Sequence, residues 1–572
     1  MSEILISPHT LPEFPSNIAT MLKDNCAQFG EKSVYQEDRG KGYEPITWEA
    51  FYKAIENISA NLKRFEFKRG DKVAIFSRNR LEMLEMELSV MASGGVSVPI
   101  FAGYPKETTS RLIEFSDATF LVISDQSQLD RVNKKLQLKG IFHFENVESS
   151  GSIPLIPFTE LLQSVSGDED TLGFDLAPNT VTLMMFTSGT MGIPKCVMLT
   201  HQNILSQQAA MKVLWNISSD DRFLSYLPWY HSFGGIFELF AAITNGALFS
   251  LEHGFGKDTD ILLSNWEQVK PTIFFSVPKV YQEITSRAME NPDVEHLIFQ
   301  TGLRFVFTAA VPLPTSISEI FESRGIPVIE GWGLTETSPC CTVTDPAKKR
   351  IPGVVGLPIP GIQIKLSEDN EIVISGPNVM RGYYKNEEAT KTVLNDDGWF
   401  YTGDVGEFVP NGLRLISRKD RILKLSNAEK VYPAEIENLI SNSCFYLSHV
   451  YVVGSGKEFL AALLFPNRAL FEKIPDQKHL KEGCKRPKSV KHLAWCLEHC
   501  LKELNRTIDV PYYRPGAVIL MNQELSIDRG ELTPSMKLAP KVVAQTFKAE
   551  IESLYGSSKT IKEDVYVIRL IE

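Results

Sequence analysis

A strand, a glycine-rich loop and a second strand follow one another between residues 181 and 200, and no other stretch constrains the chain as tightly. Residues 181–186 form an apolar, strand-like run, and 197–200 read as a strand again. Between them stands Phe186-Thr187-Ser188-Gly189-Thr190-Met191-Gly192-Ile193-Pro194-Lys195. The loop therefore sits at a strand end, where α/β proteins place their ligands. Gly189 and Gly192 tolerate positive φ and let a ligand approach the backbone closely. Thr187, Ser188 and Thr190 offer hydroxyls, and successive N–H groups in such a turn make an anion-binding concavity. Lys195 adds a full charge. A surface turn rich in Gly, Ser and Thr is the competing reading. This is not a Walker loop: counting from Gly189, Pro194 holds the second glycine position, and Cys196 follows the lysine where a magnesium-binding hydroxyl is required. Gly454-Ser455-Gly456-Lys457 fails as well, because Glu458 follows the lysine and Tyr451 stands at the first glycine position.

The surrounding chain alternates between strand-like and helix-like segments. Residues 73–76 read as a strand. Leu81, Leu84, Leu88 and Met91 recur at helical spacing, Gly94-Gly95 closes that helix, and 96–100 resume as a strand. A helix at 111–115, a strand at 120–124, a helix at 202–214 and strands at 222–227, 272–277, 304–308 and 328–330 continue the pattern. It implies parallel strands with crossover helices. After Pro352 the texture changes to short alternating runs at 362–366 and 372–374, which suit a small antiparallel β region. The charged stretch Ser417-Arg418-Lys419-Asp420-Arg421 then precedes a new α+β segment. At 572 residues the chain is too long for one core. The fold class is α/β: a large N-terminal domain (1–418) of layered parallel-type sheets with helices and a small β region, and a small α+β C-terminal domain (419–572).

A net charge of −11 excludes a general nucleic-acid binder, which needs a basic face. Residues 1–15 have neither a basic nor an apolar segment of the kind a signal peptide carries, and no apolar run is long enough to span a bilayer. Eight cysteines without a secretion signal read as reduced thiols of the cytoplasm. Cys484, His492, Cys496, His499 and Cys500 lack a second zinc-type pair. Leu493, Trp495, Cys496, Cys500 and Leu504 instead recur at helical spacing and imply a packed helix face. The basic run Lys481, Lys485, Arg486, Lys488 and Lys491 reads as a solvated face, with peripheral contact to an anionic membrane as the alternative.

Four further motifs carry chemistry. In Gly331-Trp332-Gly333-Leu334-Thr335-Glu336 the glycines permit close backbone approach, the indole suits a flat heterocycle, and Glu336 suits a hard cation. In Trp399-Phe400-Tyr401-Thr402-Gly403-Asp404 the carboxylate suits a ribose diol, since it accepts two hydrogen bonds. Arg418 and Asp420 stand at the domain boundary. Leu532-Thr533-Pro534-Ser535-Met536-Lys537-Leu538 holds a loop lysine. Each of these alone is also compatible with an ordinary turn, linker or surface lysine.

Together, and in this order, the motifs resemble the adenylate-forming superfamily of acyl-CoA synthetases, luciferase-like enzymes and peptide-synthetase adenylation domains, from about residue 21 to 555. Ser276-Val277-Pro278-Lys279-Val280-Tyr281 and the Lys537 segment resemble long-chain fatty acid CoA ligases in particular. The resemblance implies two steps with ATP, Mg²⁺ and CoA: a fatty acid carboxylate attacks the α-phosphorus and releases pyrophosphate, then the CoA thiol takes the acyl group and releases AMP. It implies that Thr187, Ser188, Gly189, Thr190, Gly192 and Lys195 hold the β- and γ-phosphates. Gly331 and Trp332 would lie at the adenine, with Trp332 replacing the commoner tyrosine. Thr335 would touch the α-phosphate, Glu336 would hold Mg²⁺, and Asp404 and Arg418 would bind the ribose. His231 would stand beside the acyl carboxylate, Lys537 would reach the α-phosphate and carboxylate, and Asp420 would be the hinge of a mobile small domain. A fatty acyl-AMP ligase serving a carrier protein, or an inactive lipid- or nucleotide-binding homologue, are the rivals.

Three expectations are specific to this chain. The Thr308-Ala309-Ala310-Val311-Pro312-Leu313 segment replaces a more glycine-rich adenine-side loop. Ala428 replaces a glycine in Ser426-Asn427-Ala428-Glu429, which the resemblance sets against the CoA pantetheine; a methyl fits there if φ is negative. Gly234 and Gly235, after His231, leave room for an acyl tail near residues 229–240.

Overall fold

The computed structural model describes residues 3–148, 151–165, 171–187, 195–300, 302–309, 313–468, 487–526, 529–533, 538–555 and 565–570. Two large sheets make up the N-terminal part. The eight-stranded sheet runs, in spatial order, through Gly382–Tyr383, Lys195–Thr200, Val181–Thr187, Val96–Ile100, Lys72–Phe76, Ala118–Ile123, Gly140–His143 and Leu155–Pro157. Its last six strands are parallel. The two on either side of residues 188–194 pair antiparallel, Lys195 opposite Thr187.

The fourteen-stranded sheet has a parallel middle, Leu248–Leu251, Arg222–Ser225, Ile273–Ser276, Phe305–Thr308 and Val328–Trp332. The antiparallel region expected after Pro352 is present, with Gln363–Leu366 against Glu371–Ser375. It does not stand apart: Thr342–Val343 pairs with both Val328–Trp332 and Val354–Pro358 and makes the antiparallel strands an extension of the parallel sheet.

Alternation along the strands sets the layers, because successive side chains point to opposite faces. Val73 and Ile75 join one cluster with Leu84 and Leu88 of the helix Leu81–Ala92 and with Phe223 and Phe275 of the other sheet. Ala74 and Phe76 face the other way, onto Leu112 and Ile113 of the helix Lys106–Phe115. The smaller C-terminal part repeats the logic. Its four-stranded sheet, Leu447–Val453, Leu460–Pro466, Pro515–Met521 and Val565–Arg569, turns Val450, Val452, Ala462 and Leu464 toward the helices Pro433–Ser443 and Val490–Thr507. It turns Tyr451, Val453, Leu463 and Phe465 toward Val543 and Leu554 of the last two helices. Among the described residues no helix is long and apolar enough to cross a membrane.

Three expectations are corrected here. The packed face of Val490–Thr507 is Leu493, Leu497 and Leu501, all at most 1 % exposed, whereas Trp495 is 73 % exposed and Cys496 and Cys500 are only half-buried. A strict four-residue step tracks one face of a 3.6-residue helix, and Trp495 falls off it. Ala428 has φ +69°, so its methyl sits in the left-handed region, which disfavours every residue with a Cβ. Gly234 and Gly235 leave no room for a ligand: a Cβ at Gly235 would lie 1.9 Å from the carbonyl oxygen of Trp229, and one at Gly234 2.7 Å from that of Pro228. Both glycines let the buried π-helix Phe233–Glu238 pack on its own chain.

The helix face gives a direct check. Leu497→Ala should cost about 2–5 kcal/mol and lower the thermal midpoint of the C-terminal transition by several degrees. Trp495→Ala, at an exposed position, should stay within about 0.5 kcal/mol. The reverse ranking would overturn the assigned face.

Candidate active site

The sequence motifs converge because three distant segments meet at one end of the strand Lys195–Thr200. On one edge it pairs with Val181–Thr187, on the other with Gly382–Tyr383. Arg381 N donates to the Met198 carbonyl at 3.0 Å and Tyr384 N to that of Cys196 at 2.8 Å. Thr187 and Lys195, the two ends of the loop, face each other across the hairpin. Ser188, Gly189, Thr190 and Gly192 lie outside the described residues, as do Ala310, Val311 and Pro312 of the adenine-side loop.

The Glu336 turn is fixed by buried amides. Asn378 Nδ2 donates to the carbonyls of Thr337 at 2.8 Å and Cys340 at 3.0 Å. Gln207 receives the Cys340 N–H at 2.7 Å and donates to the Ser338 carbonyl. Asn203, whose N–H is capped by Thr200, donates to the Pro377 and Val379 carbonyls. The Met380 N–H donates to the Glu336 carbonyl at 2.8 Å. Leaving such a buried group unpaired costs about 1–3 kcal/mol, so these contacts hold the turn in one place. Gly333 also serves the turn: a Cβ there would lie 1.7 Å from the Pro339 carbonyl oxygen, so its close approach is to this chain's own backbone.

Glu336 is buried, and its Oε1 accepts the Tyr383 hydroxyl at 2.8 Å. The Lys195 ammonium lies 4.5 Å from the centroid of the same ring. Burial first, and then the Glu336 carboxylate, push the Tyr383 phenol well above its ordinary range, so it stays protonated as a donor. Trp332 is nearly buried, and its indole Nε1 donates to Asp404 Oδ2 at 2.9 Å. Arg418 Nη1 meets Asp404 Oδ1 at 2.8 Å. Burial opposes the guanidinium charge, but Asp404 and Asp420 outweigh it and raise the Arg418 pKa. Trp332, Asp404 and Arg418 thus form one chain of contacts.

His231 and Thr335 are joined through a neighbour. Asn79 fixes the approach, donating to the Leu227 carbonyl at 2.8 Å and accepting from Trp229 N at 3.1 Å. The Ser232 hydroxyl then lies 3.1 Å from that of Thr335, and the His231 ring accepts the Phe233 N–H. Gly331 is buried, and a Cβ there would lie 2.5 Å from the Phe307 ring. Lys537 lies outside the described residues.

Lys195, Leu334, Glu336, Glu371, Tyr383, Thr402, Arg418 and Lys419 open onto a cavity of about 370 Å³, within the usual range for a small-ligand site. Of the three cations on its wall, Arg418 and Lys419 are ion-paired with carboxylates, and Lys195, which stands over the Tyr383 ring, is the one of these that fits a phosphate. Glu336 is a carboxylate of the kind Mg²⁺ takes from protein, one or two at a time, when phosphates supply other oxygens. Among the described residues no group of three His, Cys, Asp or Glu could hold a metal unaided.

The ion pairs around Asp420 divide by side. Lys419 binds Asp369 at 2.6 Å and Glu371 at 2.8 Å in the antiparallel extension, and it is the main cause that holds Asp369 down at about 2. Arg421 binds Glu437 at 2.7 Å in the C-terminal part. Asp420 itself meets only the far edge of Arg418, at 3.7 Å among the ion pairs of the described residues.

Sequence reasoning missed Tyr383, Asn378, Gln207, Asn203, Asn79, Glu371 and Lys419. A faint signal existed for the amides: Asn203, Gln207 and Gln208 sit among Ile204, Leu205, Ala209, Ala210 and Met211, and polar groups buried in this way are there to satisfy partners. Nothing local marked Tyr383.

The AMP-binding enzyme family matches residues 22–384, and the AMP-binding enzyme C-terminal domain matches residues 420–559. The chain is 26 % identical to the long-chain-fatty-acid–CoA ligase FadD15 of Mycobacterium bovis, over 97 % of this chain and 100 % of that one. It is 28 % identical to long-chain-fatty-acid–CoA ligase 5 of Rattus norvegicus, over 90 % of this chain and 85 % of the relative. Its fold matches that of ATP-bound MatB from Rhodopseudomonas palustris with a TM-score of 0.74 at 21 % identity, over 95 % of this chain and 100 % of the other. The O-succinylbenzoate coenzyme A synthetase MenE of Bacillus subtilis, in complex with AMP, matches with a TM-score of 0.68 at 20 % identity, over 91 % and 97 %. The first family spans well over half of the chain, which therefore belongs to the AMP-binding enzymes of the adenylate-forming superfamily.

Proposed function

We propose that this adenylate-forming enzyme is an ATP-dependent long-chain fatty acid CoA ligase. The observation that carries the reading is the convergence of Lys195, Glu336, Arg418 and Lys419 on one cavity, in a chain whose curated relatives are named long-chain-fatty-acid–CoA ligases. In the first step a carboxylate oxygen of the fatty acid bonds to the α-phosphorus of ATP and the bond to pyrophosphate breaks. In the second the CoA thiol loses its proton, its sulfur bonds to the acyl carbon and AMP leaves.

The residues divide the work as follows. Lys195 and the loop before it hold the β- and γ-phosphates. Glu336 would hold Mg²⁺, which when bound offsets phosphate charge. Trp332 lines the adenine side and orients Asp404, and Asp404 keeps further acceptor sites for the ribose hydroxyls, since a carboxylate offers about four. Arg418 supports it. Thr335 and His231, linked by Ser232, face the α-phosphate and the acyl carboxylate. Lys537 stabilises charge that develops on both groups as the adenylate forms. The boundary is drawn at 418/419, with the small domain turning about Asp420 between steps; the ion pairs of Lys419 and Arg421 to opposite sides support this.

Pyrophosphate and acyl-CoA are scored with ATP, Mg²⁺ and palmitate, with and without CoA. The expected result is pyrophosphate with palmitate, and palmitoyl-CoA only when CoA is added. Adenylate that transfers to a carrier protein but not to CoA would replace the reading by a fatty acyl-AMP ligase, and silence in both assays would leave an inactive homologue. A panel of fatty acids of graded length tests the long-chain preference.

Three variants test the assignments. Glu336→Gln keeps the shape but loses the charge a hard cation prefers, so pyrophosphate release should need more Mg²⁺ in a folded protein; an unchanged Mg²⁺ dependence removes Glu336 from the site. Lys537→Ala should slow adenylate formation by roughly 10²–10³, the usual loss for one aimed donor, yet leave thioester formation from pre-made acyl-adenylate nearly intact. Lys541→Ala is its control, and damage from that change, or equal loss of both steps, would show the assignment wrong. Asp420→Pro fixes φ near −65° and should slow one step far more than the other in single-turnover assays; equal slowing would move the hinge elsewhere.

A further inference from the structure

We propose that Tyr383 is a positioning residue that sets the Glu336 carboxylate and the Lys195 ammonium in one fixed arrangement around the metal–phosphate ligand. This inference rests on the assignment of Glu336 to Mg²⁺. One ring meets both groups: its hydroxyl donates to Glu336 Oε1 at 2.8 Å, and its face lies under Lys195 Nζ at 4.5 Å. The ring also lines the cavity and is 4 % exposed.

The backbone leaves the ring little freedom. Tyr383 is paired with Val197, two residues past Lys195, so the two side chains share a face of neighbouring strands. Its N–H donates to Thr390 Oγ1 at 2.9 Å, and its carbonyl accepts from Asn386 N at 3.2 Å. The Met380 N–H, three residues earlier, holds the Glu336 carbonyl. Tyr383 is therefore tied to the strand that carries the lysine and to the turn that carries the carboxylate.

The chemistry gives the arrangement its purpose. A buried carboxylate that must present an oxygen to a cation gains from a donor on another lone pair, which sets its rotation. An ammonium over an aromatic face is attracted without being neutralised, so it stays available to phosphate. A carboxylate partner for Lys195 would hold it in place but compete with the ligand.

The experiment uses the full-length enzyme with Mn²⁺ as the spectroscopic stand-in for Mg²⁺. Free Mn²⁺ is followed by electron paramagnetic resonance in the presence of a non-hydrolysable ATP analogue. Tyr383→Phe keeps the ring face and loses only the hydroxyl. It should weaken Mn²⁺ binding roughly 10–100-fold, the usual range for the outer partner of a metal ligand. Pyrophosphate release should recover at raised Mg²⁺, with the KM for fatty acid unchanged. Binding of the analogue in excess chelator should match the parent for Tyr383→Phe and fall for Tyr383→Leu, which removes the ring as well. If Tyr383→Leu fails to fold, the Phe variant decides alone. Parent-like Mn²⁺ binding by Tyr383→Phe, in an enzyme whose parent binds Mn²⁺ and releases pyrophosphate, overturns the inference but not the function. A parent that binds no Mn²⁺ with the analogue overturns both.

Discussion

The pairing of Lys195–Thr200 with Gly382–Tyr383 is the contact on which the candidate site depends. It joins residues separated by nearly two hundred positions, and it does so through backbone groups that have no water to turn to. Once the strand is in place, Lys195 at its start faces Thr187 on one side and lies over the Tyr383 ring on the other. The Glu336 turn is then drawn in by the Met380 N–H. A cavity walled by Lys195, Glu336 and Arg418 follows from these pairings; no single motif creates it.

Buried amides do in this protein what a longer helix or a disulfide does elsewhere. Asn378, Gln207 and Asn203 each bridge backbone groups of irregular chain. Irregular chain cannot satisfy its own polar groups as a helix or sheet can, and buried carbonyls need donors. The cost of breaking any one of them exceeds what a surface contact would contribute. The loops that carry Glu336 and Met380 are thereby tied to each other and to the strands beside them, as a candidate site requires.

Charges between residues 418 and 421 are arranged by side. Lys419 is spent on Asp369 and Glu371, Arg421 on Glu437, and Arg418 on Asp404. Asp404 in turn accepts from the Trp332 indole, so one carboxylate ties the tryptophan to the arginine. Ala428 shows the opposite economy: a methyl held at φ +69° carries strain that a glycine would avoid.

The grouping of the motifs into one site was expected only from the family resemblance. The α/β class and the strand positions at 73–76, 96–100, 222–227 and 304–308 were legible in the chain itself. They rest on local rules: apolar periodicity, strand length and the demands of a glycine loop. The antiparallel region after Pro352 was legible for the same reason. Its merger with the parallel sheet through Thr342–Val343 was not, since two residues carry no periodicity. Helix Val490–Thr507 was legible as a helix, but its buried face was not, because Trp495 is apolar by composition and exposed by geometry. Gly234 and Gly235 were legible as small, but whether small means open depends on what stands opposite, and that is the Trp229 carbonyl. Tyr383 had no local mark. Strand pairing across the chain decided its role, since a hydroxyl can orient a carboxylate only where the fold has already brought the two within 2.8 Å.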